Sequence, residues 1–280
     1  MQRKYASERV DAMEHAKHMT DKEIGLINTS PIRLWRCVVG NPEIGGDPKG
    51  KEANAARNNS AVYRRRLTIQ SLWMAEGNGD KTLRKIADAF KDLATVLSDS
   101  HESAVVEVAP FSRACSLVSP LFASLGVAFK FAEMDYVAKV DDLAEASKSI
   151  QTLQSLIDLD VQANTVRKAG SHTRNLLRVK RGIDMVRVLF EQIIVMEGNS
   201  LKDPASKAYE QVFAPHHGWA IRKAVSAGMY VLPTREQLLK KLNEDEASAK
   251  VQMQIYVTAS APLIQYVEKL FVSRNLGIDW

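Results

Sequence analysis

The sequence predicts an all-α protein, about eight helices packed as a bundle or a two-layer stack, on three observations. From Asp80 onward, apolar residues recur at helical spacing almost without a break. No segment shows the apolar–polar alternation of a half-buried strand. Hydrophobic residues make up 45% and charged residues 25% of the 280, a globular composition that excludes a disordered or fibrous chain. Leu83, Ile86, Phe90, Leu93 and Leu97 form one stripe, with Asp80 placed to cap its helix. Pro110 opens a second helix, which runs through Leu117, Leu121, Phe122, Leu125 and Phe129 to about Val140. A third spans about 142–158 and carries Leu143, Ile150, Leu153 and Leu156. A fourth follows the Gly170-Ser171 break and reaches Glu197-Gly198. Pro204 and Pro215 each fit the first position of a helix. Leu232-Pro233-Thr234 ends one helix and caps the next, and Pro262 divides the last long stretch in two.

Residues 1–73 differ. They lack sustained periodicity, although short helical candidates occur around 8–18 and 61–73. Between these lies the breaker-rich stretch Asn41-Pro42-Glu43-Ile44-Gly45-Gly46-Asp47-Pro48. The net charge is +5, and residues 1–73 hold 13 basic and 8 acidic residues, so the whole excess sits there. Arg64-Arg65-Arg66 reads as a solvated basic cluster or as a nucleic-acid patch. The expectation is a flexible N-terminal extension, appended or introduced by the gene model, followed by a domain over 74–280.

The two cysteines, Cys37 and Cys115, are too few for a disulfide scaffold or a cysteine zinc site and fit a reducing compartment. No apolar run approaches the roughly 18 residues of a membrane span. No apolar h-region follows Met1, so a secretory signal is not expected, and the eight acidic residues argue against an organelle transit peptide.

Charge appears where the helical stripe calls for apolar residues. Asp135 and Lys139 are four apart on one face, as are Arg174 and Arg178. One reading is a set of surface pairs worth little to stability. The other rests on density: Arg167, Lys168, Arg174, Arg178, Lys180 and Arg181 lie within 15 residues of an otherwise neutral domain. Paired guanidinium forks on one face suit a phosphate. Nucleic acid is not the expected owner of that phosphate, because stacking aromatics and a wider basic field are missing. Ala214-Pro215-His216-His217-Gly218-Trp219 sits at a helix start. Adjacent histidines do not share a helical face, so a positioned donor or acceptor is expected there and no metal. Trp219 belongs either to the core or to a lipid interface. No nucleophile elbow, glycine-rich phosphate loop or HExxH motif identifies an enzyme.

Three stretches resemble the glycolipid transfer protein superfamily. They are Gly126 to Leu143 (GVAFKFAEMDYVAKVDDL), Arg167 to Gly182 (RKAGSHTRNLLRVKRG) and Pro215-His216-His217-Gly218-Trp219. The ending Leu276-Gly277-Ile278-Asp279-Trp280 fits too, and the likeness, over residues 74–280, is to the ceramide-1-phosphate transfer branch. The resemblance implies a two-layer helical sandwich with a headgroup site above a hydrophobic pocket. It implies that Asp135 binds the lipid amide N–H and sphingoid hydroxyl, that His217 binds the amide carbonyl, and that Lys139, Arg174 and Arg178 hold the phosphate, with Asp135 turned away toward the amide. In the sugar-binding branch an Asn and a Trp stand at the Lys139 and Arg178 positions, so two cations there favour phosphate over sugar.

Arg167 and Arg181 become candidate cations behind these, and Trp219 a candidate membrane contact. Phe122, Phe129, Met185, Phe190 and Phe213 are either pocket lining or core. The implied activity is non-enzymatic transfer of ceramide-1-phosphate and phytoceramide-1-phosphate, needing no cofactor, with a link to programmed cell death and defence in plants. The alternative is a phosphosphingolipid sensor acting through protein partners. The expected location is cytoplasmic, with transient peripheral membrane contact.

Overall fold

The computed structural model describes residues 81–99, 104–126 and 129–280. The expectations for residues 1–73, the Asp80 cap, Val127 and Ala128 concern residues outside these. Among the described residues there are ten α-helices: α1 (Thr82–Asp99), α2 (Val108–Ser116), α3 (Ser119–Ser124), α4 (Lys130–Ala146), α5 (Leu153–Gln162), α6 (His172–Val195), α7 (Lys202–Val212), α8 (Trp219–Gly228), α9 (Arg235–Lys241) and α10 (Glu246–Val272). Short 3-10 turns occupy Ala214–His216 and Met229–Val231. No strand occurs among these residues, only two isolated antiparallel bridges, Glu107 with Thr152 and Ser200 with Thr234.

The helices form for the local reasons the sequence gives. In α1 the stripe Leu83, Ile86, Phe90 and Leu93 is buried. Ser171 caps α6 by accepting from Arg174 N at 3.0 Å. Thr234 and Gln237 close a reciprocal capping box on α9. Asp245 caps α10 through Ser248 N at 2.8 Å.

Four expectations need correction. The helix expected from Pro110 to Val140 is three helices, α2 to α4. Pro120 sits in the first turn of α3, and Gly126, beyond its end, adopts φ +98°, which a helix does not allow. The expected third helix spans a break instead. Leu143 belongs to α4, while Thr152, extended, caps α5 by accepting from Ser155 N. Pro204 and Pro215 fall one or two positions inside their helical turns, where no N–H is yet needed. Pro262 does not divide α10, which runs unbroken through it. Pro262 and Thr258, one turn earlier, lie on the exposed face, so water can satisfy the carbonyl that the proline leaves unpaired.

Packing makes α6 the central element. It contacts α4, α5, α7 and α10, while α10 also packs along α1 and α4 against α2 and α3. Phe90 and Phe190 both meet Tyr256 edge-on, at 4.7 and 5.4 Å. Phe122, Met185 and Phe190 are buried core residues, and Phe129 and Phe213 pack partly exposed against them.

Two contacts fix α4 against α6. Gly182 lets the Tyr136 ring lie against its backbone, where a Cβ would stand 2.5 Å from the ring. Six residues along α4, Asp142 accepts from Asn175 Nδ2 at 2.8 Å and pairs with His172 Nδ1 at 2.9 Å. The helices are therefore antiparallel, and between these two points Lys139 falls opposite Arg178.

Candidate functional site

The α4–α6 seam brings together the residues the sequence singled out. Lys139 is almost fully buried and its ammonium pairs with Asp135 Oδ1, while also donating to Asp135 O at 3.1 Å. Asp135 therefore faces its own helix neighbour rather than turning away from it. Arg174 and Arg178 are half-buried, and neither guanidinium donates to a protein acceptor among the described residues. Burial pulls the Lys139 ammonium below its usual range, Asp135 partly restores it, and Arg178 and Arg174 lower it further. Arg178 is lowered likewise, by burial and then by Arg174, with Asp135 opposing. Three cations thus share one carboxylate in a partly desolvated seam. Such an arrangement is unsatisfied until an anion arrives.

His217 supplies a different group. It follows the 3-10 turn, stacked on Phe213 at 5.6 Å and tilted against Tyr209. Its Nδ1 lies 3.0 Å from the Tyr209 hydroxyl. Burial lowers the His217 pKa, and His216, Arg178 and Arg181 lower it further. Burial raises that of Tyr209. The ring is therefore neutral at pH 7, and in the tautomer in which the phenol donates to Nδ1 the free donor is Nε2–H. A neutral donor beside a cation cluster suits a carbonyl oxygen next to an anionic group.

Three other members of the basic cluster are committed elsewhere. Lys180 pairs with Glu268 of α10. Arg181 donates through Nη2 to Ile278 O at 2.6 Å and Trp280 O at 2.8 Å. Arg167 donates to Leu276 O at 3.2 Å and lies 5.1 Å above the Trp280 ring. The sequence reading placed Arg167 and Arg181 behind the phosphate-holding cations, and here both donate to carbonyls of the C-terminal segment. Backbone acceptors leave no mark in a sequence, so nothing there signalled this. It also missed Tyr209 as the partner of His217, and the Asp142–His172–Asn175 link, although Asp142 stands seven residues after Asp135 on the same helix.

Trp219 is 64% exposed and opens α8, a helix with no buried residue. Arg222 and Lys223 lie on it, and exposed Tyr230 and Val231 follow. No helix among the described residues is long and apolar enough to cross a membrane, and no cluster of His, Cys, Asp and Glu among them could hold a metal ion.

The helical fold places three cations beside a histidine in one seam. The chain belongs to the glycolipid transfer protein family: residues 106–244 match "Glycolipid transfer protein (GLTP)". It is 68% identical over 208 residues to "Accelerated cell death 11" of Arabidopsis thaliana, covering 74% of this chain and 100% of that one. It is 30% identical to the "Ceramide-1-phosphate transfer protein" of Danio rerio, covering 68% and 98% of the two. A crystal structure of a variant of the Arabidopsis protein complexed with ceramide-1-phosphate matches with a TM-score of 0.70 over 72% of this chain and 100% of that chain.

Proposed function

We propose that this protein moves ceramide-1-phosphate and phytoceramide-1-phosphate between membranes without covalent chemistry, through its residues 74–280. The observation that carries this reading is the pair of unpartnered guanidinium groups, Arg174 and Arg178, facing Lys139 across the α4–α6 seam, with His217 Nε2–H beside them. A phosphomonoester brings about −1.5 to −2 charge at neutral pH. Two forks and an ammonium match it, and Lys139 exchanges Asp135 for the phosphate. The released Asp135 carboxylate then accepts from the lipid amide N–H, and His217 donates to the amide carbonyl. A sugar headgroup offers these cations no charge.

The lipid chains enter the helical core. Each methylene shielded from water contributes about 0.8 kcal/mol, so two long chains leave a bilayer slowly unless an apolar interior receives them. The rings of Phe122 and Tyr136, 5.1 Å apart, and of Phe190 and Tyr256, 5.4 Å apart, form such an interior, and it must part to admit a chain. Contact with the donor membrane falls to α8, where exposed Trp219 lies beside Arg222 and Lys223. Residence in the cytoplasm with transient membrane contact, and a role in programmed cell death, complete the proposal. The latter rests on the name of the Arabidopsis relative.

The test is transfer of fluorescent ceramide-1-phosphate and galactosylceramide between vesicles, by the full chain and by Arg174→Gln and Asp135→Val. Selective transfer of the phosphate lipid, lost in both variants with helicity intact, is the expected result. Transfer of the sugar lipid, or wild-type rates in either variant, overturns the reading. Lipid-dependent capture of a protein partner without useful transfer favours a sensor instead.

A further inference from the structure

The C-terminal segment touches three parts of the site. It follows α10, whose Phe271 packs against Trp280 at 6.3 Å. The Trp280 indole N–H donates back to Leu276 O at 2.9 Å and Gly277 O at 3.2 Å, closing the segment into a compact loop in which Gly277 takes φ +69°. Arg181 holds that loop to α6 by its two bonds to Ile278 O and Trp280 O. Arg181 is seven residues after Arg174 and three after Arg178, so it shares their face of α6. Arg167, ahead of α6, covers the other side of the Trp280 ring and donates to Leu276 O. Asp279 lies near enough to Arg181 and to His216, the neighbour of His217, for its charge to act on both. One five-residue loop therefore bridges the helix carrying the guanidinium groups, the segment leading into it, and the turn carrying the imidazole.

We propose that Arg181 and Trp280 are positioning residues of the headgroup site: the loop Leu276–Trp280 holds the His216-His217 turn at a fixed distance from Arg174 and Arg178, and so sets the preference for a phosphate next to an amide. The Arg181 fork suits this task because one planar group bridges two carbonyls, which a lysine ammonium on a flexible stem does not reproduce. Arg181 is buried, and that burial, with Arg178 nearby, pulls its pKa down to about 10, so it stays charged at neutral pH. Arg181 does not itself reach the phosphate in this arrangement. It acts through His217 and the α6 face.

The proposal rests on the headgroup reading above, and the experiment separates the two. Affinities of the full chain for ceramide-1-phosphate and for ceramide with the same chains are measured, and their ratio reports the headgroup alone. Trp280→Ala changes no charge, so a fall in the ratio there comes from position. The expected fall is about 10-fold, or about 1.4 kcal/mol of headgroup affinity. Trp280→Phe keeps the ring on Phe271 and under Arg167 and retains most of the ratio. Arg181→Lys keeps the charge but loses the fork, and falls as far as Arg181→Met.

Thr234→Ala, remote from the loop, lowers stability without moving the ratio. A ratio unchanged in Trp280→Ala overturns the proposal, as does full rescue by Arg181→Lys, which would make the residue a diffuse charge. If Arg174→Gln collapses the ratio while Trp280→Ala leaves it, only the positioning role fails. If Arg174→Gln also leaves it, the headgroup reading itself fails. Should an Arg181 variant not fold, Trp280→Ala decides, because its side chain is only partly buried.

Discussion

Replacing Gly182 by alanine tests whether the fold sets the spacing of the cations. The new Cβ would stand 2.5 Å from Tyr136 Cε2 and 2.6 Å from Cδ2, against 3.4–4 Å for an ordinary contact. The ring has little freedom to yield. It is 5% exposed, its hydroxyl donates to Cys115 O at 3.0 Å, and Phe122 lies 5.1 Å away. The relief must come from α4 moving off α6 by roughly 1 Å. Overpacking of this kind costs about 1–3 kcal/mol, offset by the about 0.5–1 kcal/mol by which alanine favours a helix over glycine. For a domain of this size each kcal/mol is about 2–4 °C, so Tm should fall by up to roughly 10 °C.

The site should feel the same shift, because Lys139 rides on α4 while Arg174 and Arg178 stay on α6. At an effective dielectric of about 20, a charge pair drawn from about 4 to 5 Å loses roughly 1 kcal/mol, or about 5-fold in affinity. Calorimetric Tm and ceramide-1-phosphate binding are the assays, with ceramide as the control. Adding Tyr136→Leu makes room for the methyl group and should restore most of the binding. Wild-type Tm and wild-type phosphate binding in Gly182→Ala would refute the reasoning, since the register would then be set elsewhere.

Other outcomes follow from the same geometry. Arg178→Gln should weaken ceramide-1-phosphate binding by roughly 30-fold, since a hydrogen bond to a charged group is worth about 1.5–3 kcal/mol. Its affinity should also depend less steeply on salt, while ceramide binding stays within about 2-fold. His217 is held below its usual pKa by burial, so the unfolded chain takes up this proton first as pH falls. Stability from keeping the ring neutral is complete above about 6.5 and is lost as pH drops through the folded value. His217→Gln should therefore show a smaller fall in Tm between pH 7.5 and 5.5 than the unaltered protein. Thr234→Ala removes the capping box of α9 and should lower stability by about 1 kcal/mol, read as Tm, with headgroup preference unchanged.

What the sequence revealed follows from where the information is stored. The stripe of α1 was legible because it is one-sided, and α6 because its long apolar run opens at the Gly170-Ser171 break and stops ahead of Gly198. The run from Pro110 to Val140 was not, because Leu117, Leu121 and Leu125 keep helical spacing across the turns at 117–118 and 126. Pro120 and Gly126 were the available signals, and the periodicity outweighed them. Pro262 misled for the opposite reason: a breaker on an exposed face of a helix packed against α1 and α6 breaks nothing. At the site, spacing alone gave the partners on each helix, Asp135 with Lys139 and Arg174 with Arg178. That the two pairs face each other depends on Gly182 admitting a ring, and that Arg181 leaves the group depends on carbonyls at the far end of the chain. Both are tertiary facts.

On the proposed headgroup reading, the Asp135–Lys139 pair would let one site read two features of a lipid at once. Before binding, the carboxylate pairs with Lys139, the one of the three cations that has a side-chain partner among the described residues. A phosphate that draws Lys139 away leaves Asp135 partly desolvated, close to a dianion, and without its counter-charge. An unpaired buried carboxylate is costly, so phosphate binding by itself is opposed. An amide N–H arriving with the phosphate gives Asp135 a new hydrogen bond, while the amide carbonyl takes the proton offered by His217 Nε2. A glycerolipid phosphate, with ester oxygens in place of the amide, brings the same charge but no N–H. It therefore leaves Asp135 facing the phosphate unpaired. On this argument Arg174 and Arg178 supply the attraction, and the exchange at Asp135 supplies the discrimination between sphingoid and glycerol backbones.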